Sequence, residues 1–298
     1  MRKIILSILV ILTTFSCQKN SECNYIENYY QKVYLAEEAY YKENYKRVFE
    51  QMSEAEKNCE LLNQRGIYEM LKYAESSAHI GEKEKAFELI RKLLLKGYEI
   101  NQLENNEAFQ SLVGTDKWTQ LEKDYESLYK EYLSSIDLEL REKITEMKRI
   151  DQIYRQRGEY DQQKCDSIDS INEIELKKIV ENQGYPDERI IGGFKIDNQP
   201  VDPGILLFHF DDYDYWTSKL KELIEKGEAP PRSLGTFVDS YKRRVPEEKK
   251  FIYGIYDNSG EESIVDFDKL DERRVSIGLP PMKLKKSIDS LKRIYYGY

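Results

Sequence analysis

Two histidines, His79 and His209, and four cysteines with no C-x-x-C pair are all that this chain offers to a soft metal. A structural zinc site needs four nitrogen or sulfur ligands at close spacing, so no metal is expected and no cofactor is implied. The chain also lacks a phosphate-cradling Walker loop, an H-E-x-x-H pair, a G-x-S-x-G elbow and a redox dithiol. These absences weaken enzyme readings without excluding them. Glycine and proline are sparse, at 15 and 8, in a composition rich in Glu, Lys, Tyr and Ile, which suits helices joined by short turns. Positive charge is in deficit: 46 Lys and Arg stand against 55 Asp and Glu. An acidic body repels phosphate backbones, so nucleic acid is not an expected partner. The longest uncharged apolar run, Ile4 to Phe15, is a dozen residues, whereas a helix that spans a bilayer needs about 20.

That short run is the most informative feature present. Met1-Arg2-Lys3 is basic, Ile4 to Phe15 is apolar, and Thr14-Phe15-Ser16-Cys17 puts a small residue before a cysteine. The zones fall in signal-peptide order and the whole resembles a bacterial lipoprotein signal. The resemblance implies cleavage after residue 16 and acylation of Cys17. Losing Arg2 and Lys3 makes the formal charge of −9 two units more negative, so attachment must come from lipid rather than from attraction to anionic head groups. The expected location is the cell envelope, with the outer membrane as anchor and either its periplasmic face or the cell surface as the side. Gln18-Lys19-Asn20-Ser21-Glu22 resembles a lysine-plus-acid surface-sorting signal, with Asn20 and Ser21 where acids belong. Of the other cysteines, Cys23 and Cys59 are placed to clip the first two helices together if these run antiparallel, leaving Cys165 free.

After a tether over 17–23, residues 24–133 read as a helical-repeat module. Ala36, Tyr45, Val48, Met52 and Ala55 stand in the same relation as Ala74, Lys83, Ala86, Ile90 and Leu93, at an offset of 38 residues. The pattern resembles tetratricopeptide repeats, whose usual period is about 34. The resemblance implies stacked helix pairs with a curved surface for peptides or protein partners, or a spacer. Leu103, Phe109, Leu112, Trp118 and Leu121 fit two further short helices, the second capped by Thr115 or Asp116. Most of the 24 tyrosines are read as helix-groove fillers, with a sugar-stacking surface as the sharper alternative.

Residues 134–298 read as an α-rich domain with one β-hairpin near 251–265. Ser135 or Asp137 caps a helix through Tyr154; Ser170-Ile171-Asn172-Glu173 is a capping box for the next, which Gly184 closes. Asp202-Pro203 and Asp214 start two more, Gly227 ends the latter, and Pro230-Pro231 precedes another to Arg244. Phe251 to Tyr256, turning through Asp257-Asn258-Ser259-Gly260 into Ser263-Ile264-Val265, is the one β signal. A short helix from Asp271 to Ile277 then stops at Gly278. The tail from 283 has five Lys or Arg against Asp289 and reads as a solvated basic face of a terminal helix.

The motif order from Leu138 to the C-terminus resembles a family of bacterial domains of unknown function. The motifs are Asp151-Gln152-x-x-Arg155, Gly184-Tyr185-Pro186, His209, Tyr253-Gly254, and Asp271-x-Arg273-Arg274 with Gly278-Leu279-Pro280-Pro281. Ser240 and Ile255-Tyr256 depart from that family's usual Asp-Arg and Thr-Gln. The resemblance implies a fold and no reaction. Two functions follow as expectations. One is a lipid-anchored binding or scaffold module for a protein or cell-wall partner. The other is an envelope hydrolase or transferase around His209, with Asp151, Arg155, Asp239 and Arg273 as candidate catalytic groups. Asp151 and Arg155 alternatively form a plain i,i+4 ion pair, and His209 is alternatively a satisfied core residue. Asp211, Asp212 and Asp214 read as a helix cap, since a calcium loop needs alternating acids and a glycine.

Overall fold

A computed structural model describes residues 23–156, 160–193, 196, 201–245, 250–256 and 260–297. Cys17, the expected signal segment, most of the expected tether and the expected turn at 257–259 lie outside these residues. The described chain is mostly α, with no sheet.

The N-terminal half begins with α1 (Tyr25–Asn28), α2 (Tyr30–Tyr41), α3 (Tyr45–Glu56), α4 (Glu69–His79) and α5 (Lys83–Leu94). Asn24 opens α1 by accepting from the backbone N–H groups of Ile26 and Glu27, and Asn44 opens α3 by accepting from Arg47 N at 3.1 Å. Each of α2 to α5 packs on its sequence neighbour. Ala36, Val48, Met52 and Ala55, and their offset partners Ala74, Ala86, Ile90 and Leu93, are all buried. The four alanines among them let helix axes approach closely. A disulfide joins Cys23 to Cys59, with Cα atoms 5.3 Å apart, and ties the start of α1 to the end of α3; Cys165 is free and buried. The bridge closes a sequence separation of 36. Reduction, or Cys59→Ser, is expected to destabilise the chain by about 3–4 kcal/mol through restored freedom of the unfolded state. Thermal melts with and without reductant measure it, and coincident midpoints would refute it.

Next come α6 (Ile100–Glu104), a 3-10 turn at Glu107–Phe109 and α7 (Asp116–Ser135). Thr115 caps α7, its hydroxyl accepting from Trp118 N at 3.4 Å. α7 is 20 residues long rather than short, because no glycine or proline interrupts it. Phe109 and Trp118 are fully buried.

The C-terminal half contains α8 (Leu138–Ile153), α9 (Gln162–Gln183), α10 (Glu188–Ile191), a 3-10 helix (Pro203–Phe208), α11 (Tyr213–Glu225), α12 (Pro231–Arg244), α13 (Leu270–Val275) and α14 (Met282–Tyr296). Asp137 caps α8, accepting from Leu140 N at 2.8 Å. The capping box expected at Ser170 is mid-helix instead. Asp161 opens α9 by accepting from Lys164 N at 3.1 Å, and the Ser170 hydroxyl donates back to Asp166 O at 2.9 Å. Gly184 ends α9 with φ +85, a conformation that costs a Cβ-bearing residue energy. Asp202 caps the 3-10 helix, and Asp212 rather than Asp214 caps α11.

The expected β-hairpin is not formed among the described residues. Phe251 and Ile264 make one isolated bridge, of parallel type, in which Phe251 N donates to Ser263 O at 2.8 Å and Val265 N to Phe251 O at 2.9 Å. The reason is competition for backbone groups. The buried Asp239 carboxylate accepts from Ile252 N, Tyr253 N and Ile255 N at 2.8, 3.0 and 2.8 Å. Arg273 and Arg274 donate to the carbonyls of Ile252 and Tyr253 at 3.0 and 2.6 Å. A segment whose donors and acceptors are satisfied by side chains has none left for a ladder.

One apolar core runs from Tyr25 to Ile288 across both halves. α14 returns to lie along α2. Gln31 donates to Leu279 O at 2.9 Å, the Tyr30 hydroxyl to Ala229 O at 3.3 Å, and Lys292 pairs with Glu37 at 2.7 Å. Tyrosine suits these seams: Tyr25, Tyr29 and Tyr30 pack ring on ring, and the Tyr29 hydroxyl accepts from Leu62 N at 2.8 Å. No helix among the described residues is long and apolar enough to cross a membrane.

Candidate functional site

The five candidate catalytic side chains separate into two groups. Asp151, at the last turn of α8, is buried, and Arg155 just beyond reaches it at 3.5 Å. Arg155 also pairs closely with Asp169 of α9, a residue the sequence reading did not single out. Placing the start of α9 at Ser170 hid it, because Asp169 then fell before the helix rather than on the face toward α8. His209 ends the 3-10 helix beside this cluster. Arg244 grips the carbonyls on either side of it, Phe208 O and Phe210 O, and pairs with Asp211 at 3.0 Å. Asp239 and Arg273 form the second group. Both hold the 251–256 backbone, Arg273 also donating to Val265 O and Asp266 O, and none of these bonds reaches His209. Tyr253 lies with this second group, its phenol raised to about 12 by burial and by the nearby Tyr213 and Asp239. Among the described residues no cluster of His, Cys, Asp and Glu has the makings of a metal site.

A third place was not legible from motifs. A cavity of about 290 Å³ opens between the two halves. One wall comes from the loop after α3 and the turn after α5, with Arg65, Lys96 and Tyr98. The opposite wall comes from α10 and the start of the 3-10 helix, with Glu188 and Asp202. Tyr132 of α7 and Tyr185 form apolar floor between them. The floor depends on Gly97, whose φ is +84. A Cβ there would lie 2.4 Å from the Tyr132 ring, so only glycine lets the tyrosine settle. The Tyr132 hydroxyl accepts from Gly193 N at 2.9 Å, and that of Tyr98 accepts from the Asn63 amide at 3.0 Å. Burial pushes the Glu188 carboxyl above its ordinary range, and the field of Arg65 draws it partly back. Burial likewise raises Asp187, against which Arg189 and then Lys96 act.

No family model, curated protein or solved structure matches this chain.

The cluster at His209 has a checkable signature in pH. Burial lowers the His209 imidazole to about 4, with Arg155 the next cause and Asp151 opposing. Burial raises Asp169 to about 6, Arg155 opposing and Asp151 reinforcing. From pH 6.5 down to 4 the unfolded chain takes up a proton on His209 that the native state refuses, which costs stability as pH falls. From 3.8 to 6 the native state keeps a proton on Asp169 that the unfolded chain releases, a contribution lost as pH rises. The two slopes oppose, so these two groups largely offset one another in the native chain. Relative to the native chain, His209→Gln should make the midpoint fall more steeply with rising pH, and Asp169→Asn should tilt it the other way. Parallel profiles for all three proteins would dismiss the assignment.

Proposed function

We propose that this chain is a lipid-anchored protein of the bacterial cell envelope that binds a protein or cell-wall partner through the cavity between its halves. The observation that carries the reading is the cavity itself: concave, part apolar and lined by a few convergent polar groups, which is how binding sites are built. The tetratricopeptide-like pattern of 24–133 supports the same reading, since stacked helix pairs commonly present segments of a partner. The hydrolase or transferase alternative around His209 is weaker, because Asp239 and Arg273 are engaged by backbone and His209 stays neutral well below pH 7.

Two experiments test the two parts. Cys17→Ser should abolish incorporation of labelled fatty acid and release the protein from the membrane fraction; retention of the label would refute the anchor. A photo-crosslinking residue at Ser135, on the cavity rim, should capture a discrete partner in living cells. The same residue at Glu122, exposed on α7, should not. Equal capture at both positions, or none at Ser135, would refute a macromolecular partner at the cavity.

A further inference from the structure

We infer that the cavity between the halves recognises a zwitterion, a free amino acid or a short peptide with both ends unblocked. The inference rests on the proposal that the cavity is the binding site, and it names the ligand class.

The charges of this cavity are sorted by wall. Arg65 and Lys96 project from the N-terminal half, and Glu188 and Asp202 from the C-terminal half. Surface charges on a helical protein ordinarily find partners, and this chain has many pairs of that kind at i,i+3 and i,i+4. None of these four makes a salt bridge within 4 Å among the described residues, although they face one space and sense charge at longer range, Glu188 that of Arg65, and Lys148 that of Asp202. Arg189 and Asp187 on the same lining are different: they pair with each other at 2.8 Å, and Arg189 also donates to Glu228 O at 3.0 Å. One Asp202 oxygen accepts from Gly204 N at 2.8 Å as a helix cap.

A ligand of one sign would gain from one wall and be repelled by the other. A neutral ligand would gain from neither and would leave four charges partly desolvated, which is costly. A molecule with a carboxylate at one end and an ammonium at the other satisfies both walls in a single orientation. The carboxylate meets Arg65 and Lys96, where the guanidinium offers a two-pronged contact. The ammonium meets Glu188 and Asp202. The span between them rests on the floor of Tyr132 and Tyr185, which gives apolar contact to an aliphatic stem or small side chains. A volume near 290 Å³ is at the small end of ligand pockets and suits a ligand of one to three residues rather than a folded domain.

The test needs no variant to begin. The full mature chain is titrated calorimetrically with L-alanyl-L-alanine and D-alanyl-D-alanine, then with each peptide N-acetylated, C-amidated or blocked at both ends. Saturable one-to-one binding is expected for at least one free dipeptide. Each single block should weaken it at least about tenfold, and the double block should abolish it; tenfold corresponds to about 1.4 kcal/mol. Lys96→Met should weaken the free peptide and leave the amide unaffected, while Glu188→Gln should do the same for the acetylated form. Equal binding of free and doubly blocked peptides would overturn the inference, and so would no saturable binding of any dipeptide at millimolar concentration. If the dipeptides fail while Ser135 still captures a macromolecule, the ligand class falls and the binding role stands. If the dipeptides bind while Ser135 captures nothing, the macromolecular partner falls and the small-ligand site stands; if both fail, both fall.

Discussion

Asp239→Ala is expected to destabilise the protein by roughly 3–5 kcal/mol, a loss of about 10 °C in thermal midpoint for a chain of this size. The carboxylate is fully buried and accepts from three amides, those of Ile252, Tyr253 and Ile255. Burial raises its pKa and the three amides pull it back. Removing it strands those donors with no strand to pair with, since the opposing segment offers only the Phe251–Ile264 bridge. Asp239→Asn keeps one acceptor oxygen and should recover part of the loss. Hydrogen exchange gives the local readout: the amides of 252, 253 and 255 should lose protection far more than those of α2. Unchanged protection at these three positions in Asp239→Ala would mean that the carboxylate does not hold the segment.

Glu37→Ala should cost a similar amount, about 3–5 kcal/mol, for a different reason. Glu37 and Lys72 form a buried ion pair at 3.2 Å, with side chains 3% and 8% exposed. Lys72 lies over the Tyr41 ring at 5.1 Å, and burial lowers its pKa against the pull of Glu37. Taking away the acid leaves a buried ammonium with the Ile67 carbonyl as its remaining acceptor and also frees Lys292, which docks α14 on Glu37 at 2.7 Å. The C-terminal helix should then become the first site of proteolysis. The double replacement Glu37→Leu with Lys72→Met should recover most of the stability, because an apolar pair of similar volume avoids desolvating two charges. A double variant as unstable as Glu37→Ala would show that the charges position α14 rather than merely offset one another.

Local signals in this chain were legible where they act within one turn. Thr115, Asp137 and Gly184 do what their residue types dictate, because a cap is decided by atoms three or four positions away. Ser170-Ile171-Asn172-Glu173 carries the same signature and is not a cap. Asp161 had already started the helix, and a capping box inside a running helix is only a sequence coincidence. Phe251 to Tyr256 alternates like a strand, yet its amides go to a carboxylate on α12, a partner more than ten positions away that no periodicity indicates. Asp169 was invisible for the same reason. Its pairing with Arg155 exists only because α9 packs against α8.

By itself, then, the amino-acid order determined the mostly helical class, most helix ends and the burial of the small residues on α2 to α5, all consequences of propensity, capping and period that reach only a few residues. The tertiary structure alone decided that the last helix lies along α2 and that Asp239 and Arg273 serve a backbone segment. It also decided that Arg65 and Lys96 face Glu188 and Asp202 across one cavity. Those outcomes depend on which distant surfaces meet when a single core from Tyr25 to Ile288 closes, and contacts between distant segments leave no local period in a sequence.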